Sequence, residues 1–245
     1  MKRSAILTVL VITAILCGCT SKNQPDNTLS AKEIKEGWKL LFDGNTSRGW
    51  MNAVTKNFPE TGWEIKDGTL STNPALKGEH GGGDIVTAGK FRDFELSVDF
   101  NYKPGANSGI KYFIDTERDS GIYRSIGCEY QILDDNLHPD AKAGLSGNHK
   151  LACLYDLMPP VNVKDNGPDA WNNARIIVKG NHVQHLLNGQ ITVDYYRGSP
   201  EWKEAVSKSK FKDVPGFGET VEGRILLQEH GDAVAFKNIK IREIR

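Results

Sequence analysis

Residues 94–102 read FELSVDFNY. In an extended chain Leu96, Val98, Phe100 and Tyr102 fall on one side, and Glu95, Ser97, Asp99 and Asn101 on the other. A helical period would scatter both sets around a cylinder, so the run reads as a strand with one apolar face. The same signature recurs in both directions along the chain. Trp63-Glu64-Ile65-Lys66 meets Asp67-Gly68 and resumes at Thr69-Leu70-Ser71, the pattern of a tight hairpin. Residues 38–42, 109–115, 127–134, 174–179, 182–187, 190–195, 224–228 and 234–244 continue the series, and Asn188-Gly189 supplies a second hairpin turn. Short strands at this spacing predict an all-β sandwich or jelly roll. One segment departs from it: Ser199-Pro200-Glu201 offers an N-cap, a first-turn proline and an early acid, so residues 199–206 read as a short helix in a loop.

The N-terminus has its own logic. Lys2 and Arg3 precede an apolar run from Ser4 to Leu16, long enough for a signal peptide and too short for a comfortable membrane span. Leu16-Cys17-Gly18-Cys19 is similar to a bacterial lipoprotein cleavage box, with an ordinary cleaved signal as the alternative. On that reading residues 1–18 are a signal peptide and Cys19 carries a lipid that anchors the chain in the cell envelope. Residues 19–33 form a polar tether, and 34–245 a single domain. Cleavage lowers the basic count from 31 to 29 against 31 acids. So neutral a chain argues against a nucleic-acid partner, which requires a basic patch. Cys128 and Cys153 remain in the folded part, in no metal-type spacing; a disulfide and two buried thiols are both open.

The stretch 128–134, CEYQILD, carries the chemical question. Alternation puts Glu129 and Gln131 on one face, and Tyr130, Ile132 and Asp134 on the other. Either that polar face is wet, or it lines a cavity in which a desolvated carboxyl with a raised pKa serves as a base or acid. In residues 107–111, NSGIK, Lys111 faces away from Ile110. In residues 224–231, RILLQEHG, Gln228 shares a face with Arg224 and Leu226, and also with His230 if the strand continues. His149 ends a long loop and could overhang the sheet. His182 and His185 fall on opposite faces of one strand and read as surface or packing residues, while His80 and His138 are loop residues with no evident partner. Most of Trp50, Trp63, Tyr123, Tyr155 and Trp171 are expected in the core. The triple glycine at 81–83 follows no strand and opens no helix, so it is not a dinucleotide loop. No serine-hydrolase elbow, phosphate loop or zinc-protease motif is present.

Five stretches taken together carry a family likeness. They are Leu41-Phe42-Asp43-Gly44 with Trp50, Asn107-Ser108-Gly109-Ile110, and Glu129 through Asp134. The others are Trp171-Asn172 with Asn188-Gly189, and Leu227-Gln228-x-His230-Gly231 with Phe236-x-Asn238-Ile239. The sequence resembles the 3-keto-disaccharide hydrolase family across residues 36–244. The resemblance implies a concanavalin-like jelly roll of two curved antiparallel sheets, with the site on the concave face. It implies a small-molecule substrate, a glycoside already oxidised to a ketone at sugar carbon 3, cleaved by hydrolysis or by elimination. Lipid-tethered members of that family are typical of Bacteroidetes.

A ketone at carbon 3 acidifies the hydrogen on carbon 2, so removal of that proton and loss of the group on carbon 1 need a base, an oxyanion partner and an acid. Glu129 and His230 are the expected proton carriers. Lys111, Gln131 and Gln228 are expected to hold substrate oxygens, with Asn107 and His149 at the rim. A divalent metal polarising the ketone would suit the chemistry, but no ligand cluster argues for one and no cofactor is expected. Two other readings stand beside this: a conventional glycosidase with two converging carboxylates, for instance Glu129 with Asp134 or Glu229, and a non-catalytic carbohydrate-binding lipoprotein. Alternation turns Asp134 away from Glu129, which weakens that pair.

Overall fold

The alternating run at 94–102 forms the centre of the larger of two antiparallel sheets in the computed structural model, which describes residues 24–76, 82–117 and 125–244. The strands are β1 (Lys39–Leu40), β2 (Trp50–Asn52), β3 (Trp63–Lys66), β4 (Thr69–Thr72), β5 (Ile85–Thr87), β6 (Phe94–Tyr102) and β7 (Asn107–Ile114). They continue with β8 (Cys128–Leu133), β9 (Asn172–Lys179), β10 (His182–Leu187), β11 (Gln190–Tyr196), β12 (Arg224–Leu227) and β13 (Val234–Glu243). Eight of them run in the order β11-β10-β9-β6-β13-β4-β3, with β1 also paired to β13. The other five run β2-β5-β12-β7-β8. Strands distant in sequence pair in both sheets, giving the jelly-roll sandwich expected from the sequence.

Between the sheets lie Phe94, Leu96, Phe100, Tyr112, Tyr130, Ile176, Leu227 and Phe236, all buried. Each such side chain contributes about 1.5–3 kcal/mol by leaving water. One polar knot sits in this layer. The buried Tyr112 hydroxyl lies 2.8 Å from His185 Nε2 and 2.6 Å from the Tyr195 hydroxyl. Burial lowers the His185 pKa to about 3, so the ring is neutral and structural. Cys128 and Cys153 are both buried and free, which settles their pairing in favour of thiols.

The outer face of the eight-stranded sheet is polar and closely paired. Glu95 forms an ion pair with Arg175, Nε at 2.8 Å, and accepts a hydrogen bond from Arg242 Nε at 2.7 Å. Asp99 receives the side-chain amides of Asn173 and Asn238, each at 2.7 Å. The hairpin turns behave as read: Asp67 and Gly68 lie at φ 49° and 75°, and Asn188 and Gly189 at φ 49° and 78°. The helix forms at α2 (Pro200–Lys208), capped by Ser199.

Two expectations change. Strands β2 and β5 were not legible, because three residues are too few to show alternation, and β5 is buried at all three. Residues 24–33, expected as tether, are docked on the larger sheet. Asn27 and Asn238 exchange backbone-to-side-chain hydrogen bonds at 2.6 and 2.9 Å, and Asn238 stands at a bulge in β13 with φ 50°. A bulge leaves backbone groups unpaired, and the incoming segment pairs them. Helix α1 (Ala31–Lys35) follows with a capping box from Ser30 and Glu33. Residues 1–18, Cys19, His80 and Tyr123 lie outside the described residues.

Candidate functional site

Strand β8 is buried at all six positions, Cys128–Leu133, so neither of its faces is wet. Cys128, Tyr130 and Ile132 point between the sheets. Glu129 and Gln131 point outward beneath the loop that follows the strand. That loop also closes the free edge of β8. The amide of Ala152 donates to the Gln131 carbonyl at 2.9 Å, and that of Tyr155 to the Glu129 carbonyl at 3.0 Å.

Beside β8, the outward positions of β7 are Asn107, Gly109 and Lys111. Register sets Lys111 directly opposite Glu129, and Gly109 opposite Gln131. Gly109 makes room for the carboxyl, since a Cβ there would come within 2.2 Å of Glu129 Oε1. Past Lys111 the strand bulges at Phe113, whose φ is 61°. The bulge keeps Phe113 in the core while Ile114 turns outward into a small apolar cluster with Leu226 and Val86. On the other side of β7, the Gln228 amide donates to the Gly109 carbonyl at 3.0 Å, carrying the line of β12 on towards His230.

These elements enclose a cavity of about 310 Å³ on the outer face of the five-stranded sheet. That volume lies at the small end of ligand sites. Its lining brings together Asn107, Lys111, Glu129, Gln131, Gln228 and His230. Tyr155, Lys210, Phe211 and Val214 form the opposite wall. Lys111 Nζ stands 3.9 Å from Glu129 Oε2, an ionic contact too long for a hydrogen bond, with both side chains largely buried. Burial pushes the Glu129 carboxyl above its ordinary pKa, and the charges of Lys111, Lys210 and His230 oppose the shift. Gln131 Nε2 donates to Asn107 Oδ1 at 3.3 Å. Among the described residues, the Oε1 atoms of Gln131 and Gln228 are buried without a partner. Two orphan acceptors in a polar cavity suit hydroxyl groups of a ligand. His230 is exposed at the cavity, its ring edge-on to His138 with centroids 6.5 Å apart, so His138 does have a partner.

Three groups at the site depart from the sequence reading or escaped it. Asp84 accepts from the Glu229 amide at 3.0 Å; burial raises its pKa against the opposing charge of Lys111, and its own charge pushes Glu129 further up. Nothing in residues 82–84 (GGD) marked it. Lys210 was one of several lysines after a helix, yet its Nζ lies 4.3 Å from the centre of the Tyr155 ring in the cavity wall. His149, expected at the rim, is not part of the lining and sits behind Tyr155, bonded to two carboxylates. Asp134 turns away as expected and caps the strand end, accepting from Gly105, Asn136 and Leu137. Among the described residues, no group of three or more His, Cys, Asp and Glu side chains converges on a metal position.

Such a cavity can take up a proton, stabilise an oxyanion and bind hydroxyl groups. A family model described as a 3-keto-alpha-glucoside-1,2-lyase-like domain matches residues 37–242. A curated protein of Bacteroides thetaiotaomicron named 3-keto-disaccharide hydrolase is 36% identical over 231 residues, covering 84% of this chain and 78% of that one. A crystal structure of a candidate glycosyl hydrolase from Parabacteroides distasonis superposes with TM-score 0.79 at 30% identity, over 90% of this chain and all of that one. A second from the same organism gives TM-score 0.60 at 27% identity, over 84% and 99%.

Proposed function

The chain belongs to the 3-keto-alpha-glucoside-1,2-lyase-like family, and on that premise we propose that its cavity cleaves the glycosidic bond of 3-keto-glycosides, with Glu129 as the base. The observation that carries the reading is the state of Glu129. It is a buried carboxyl with a raised pKa, facing an ammonium at 3.9 Å, among amide acceptors that nothing else satisfies. A base whose pKa lies nearer neutrality couples a useful ionised fraction to a stronger pull on the proton.

Glu129 takes the proton from carbon 2 of the sugar. The C–H electrons form a carbon 2–carbon 3 double bond, and the ketone oxygen becomes an enolate stabilised by Lys111. The enolate collapses to regenerate the ketone, a carbon 1–carbon 2 double bond forms, and the bond from carbon 1 to the aglycone oxygen breaks. His230, exposed where a leaving group can reach solvent, supplies the proton to that oxygen. The product at this stage is the eliminated 3-keto-glucal. Addition of water at carbon 1, with His230 taking the water proton and Glu129, its abstracted proton first exchanged with solvent, protonating carbon 2, makes the outcome net hydrolysis. Gln131 and Gln228 accept from the sugar hydroxyls. The route draws only on side chains of this chain. A lipid on Cys19, holding the pocket at the cell envelope, belongs to the same proposal and rests on residues 16–19 alone.

Asp84, close enough to influence Glu129, favours a second reading as a conventional two-carboxylate glycosidase. Parallel incubations with a 3-keto-glucoside and an unoxidised nitrophenyl glucoside, read by mass spectrometry, separate the two. Cleavage of the keto substrate alone is expected, and the sugar product's mass tells hydrolysis from elimination. Cleavage of the unoxidised glycoside at a comparable rate would overturn the proposal.

A further inference from the structure

The inner parts of the cavity are fixed by the sheet, but Tyr155 and Lys210 stand on loops and need another means of support. Both lead back to one ring. The Tyr155 hydroxyl donates to Asp140 Oδ2 at 3.0 Å, and the backbone amide of Lys210 donates to Asp156 Oδ2 at 2.7 Å. The second oxygens of those carboxylates, Asp140 Oδ1 and Asp156 Oδ1, lie 2.9 Å from His149 Nδ1 and Nε2 respectively. Each ring nitrogen thus meets a carboxylate oxygen from a different loop position, so the one ring bridges both carboxylates. The ring also lies against Tyr155, centroids 4.4 Å apart.

The surroundings are built to hold this ring. A Cβ on Gly144 would come within 2.4 Å of His149 Cδ2, and Gly144 lies at φ 72°. Asp156 holds a left-handed backbone at φ 59°, a conformation that persists only when its contacts compel it.

We propose that His149 is a positioning residue for the substrate pocket. Its ring bridges Asp140 and Asp156, and through them sets the Tyr155 ring and the Lys210 segment that form the outer wall. The inference rests on the functional reading of the cavity only for its effect on substrate. The lock itself is a property of the two loops.

The test is His149→Gln, whose amide donates to one carboxylate and turns a carbonyl oxygen towards the other. Two measurements are made below the melting temperature of the variant. Hydrogen–deuterium exchange at the Lys210 amide is expected to quicken at least tenfold. With a 3-keto-glucoside, KM is expected to rise about tenfold and kcat to change less than threefold, because Glu129 and Lys111 are untouched. Adding Tyr155→Phe to His149→Gln should then raise KM by less than the product of the two single effects. Where His149→Gln does not fold, Asp140→Asn, nearly identical in shape, takes its place with the same KM expectation. Unchanged exchange at Lys210, or an unchanged KM beside active wild type, would each overturn the proposal. Quickened exchange in a protein that cleaves no 3-keto-glycoside would uphold the lock and reject the functional reading instead.

Discussion

Glu95 and Glu129 stand on outward-facing strand positions in the two sheets, and both are buried, at 4% and 6% exposure. Their partners differ. Two arginines close on Glu95, at 2.8 Å from Arg175 and 2.5 Å from Arg242. Glu129 has one lysine at 3.9 Å and a glycine beneath it. The first arrangement satisfies a charge and ties three strands together. The second raises the affinity for a proton and, among the described residues, leaves neighbouring amide oxygens unpaired. The larger sheet uses this polar position for cohesion, whereas the smaller keeps its own incompletely paired.

The sharpest way to break this contrast is to exchange each carboxyl for an amide. Glu129→Gln is expected to lower kcat with a 3-keto-glucoside by about a thousandfold, the middle range for a lost general base. Near-native turnover would remove Glu129 from the chemistry. Gly109→Ala comes next, because its Cβ would press within 2.2 Å of the Glu129 carboxyl. Displacement of the base is expected to cost roughly a hundredfold in kcat/KM, about 2.7 kcal/mol. Packing strain of about 1–3 kcal/mol should show in denaturant unfolding. Glu95→Gln should do the opposite: leave kcat within twofold and lower stability by about 2 kcal/mol. The loss is moderate because Arg175 and Arg242 are 41% and 34% exposed and water screens them once unpaired.

The smallest effect returns to Glu129 and fixes a sign. Burial places its folded pKa above the ordinary 4.5, so the folded protein keeps a proton that the unfolded chain releases. Stability from this residue therefore declines as pH rises from the unfolded value through the folded one. Glu129→Gln lacks that penalty. Relative to wild type it should gain stability between pH 4 and pH 8, followed by denaturant midpoints. A constant difference across that range would show that the carboxyl is not desolvated.

How far the sequence could be read follows from the same geometry. Alternation is local, so it could place Glu129 with Gln131 on one face and Lys111 opposite Ile110. That Asn107, Lys111, Glu129, Gln131 and Gln228 meet at one site depends on which strands pair, and was implied only by the family resemblance. The hairpin turns and the helix cap were legible as alternation was, since their chemistry is local. Asp84, Lys210 and the true place of His149 were not. They sit on loops whose path is decided by contacts with distant segments, such as Asp84 with Glu229 and Lys210 with Asp156. The docking of residues 24–33 escaped notice too, because a polar composition suits a tether and suits equally a strap pairing with a bulge.

The most direct measurement follows the hydrogen on carbon 2. A 3-keto-glucoside deuterated at that carbon is cleaved in ordinary water, and the product is analysed for label. The account predicts that wild type releases the deuterium to solvent as the glycosidic bond breaks, and that Glu129→Gln does so at about a thousandth of the rate. Cleavage with the deuterium fully retained on carbon 2, or loss of label undiminished in Glu129→Gln, would contradict it.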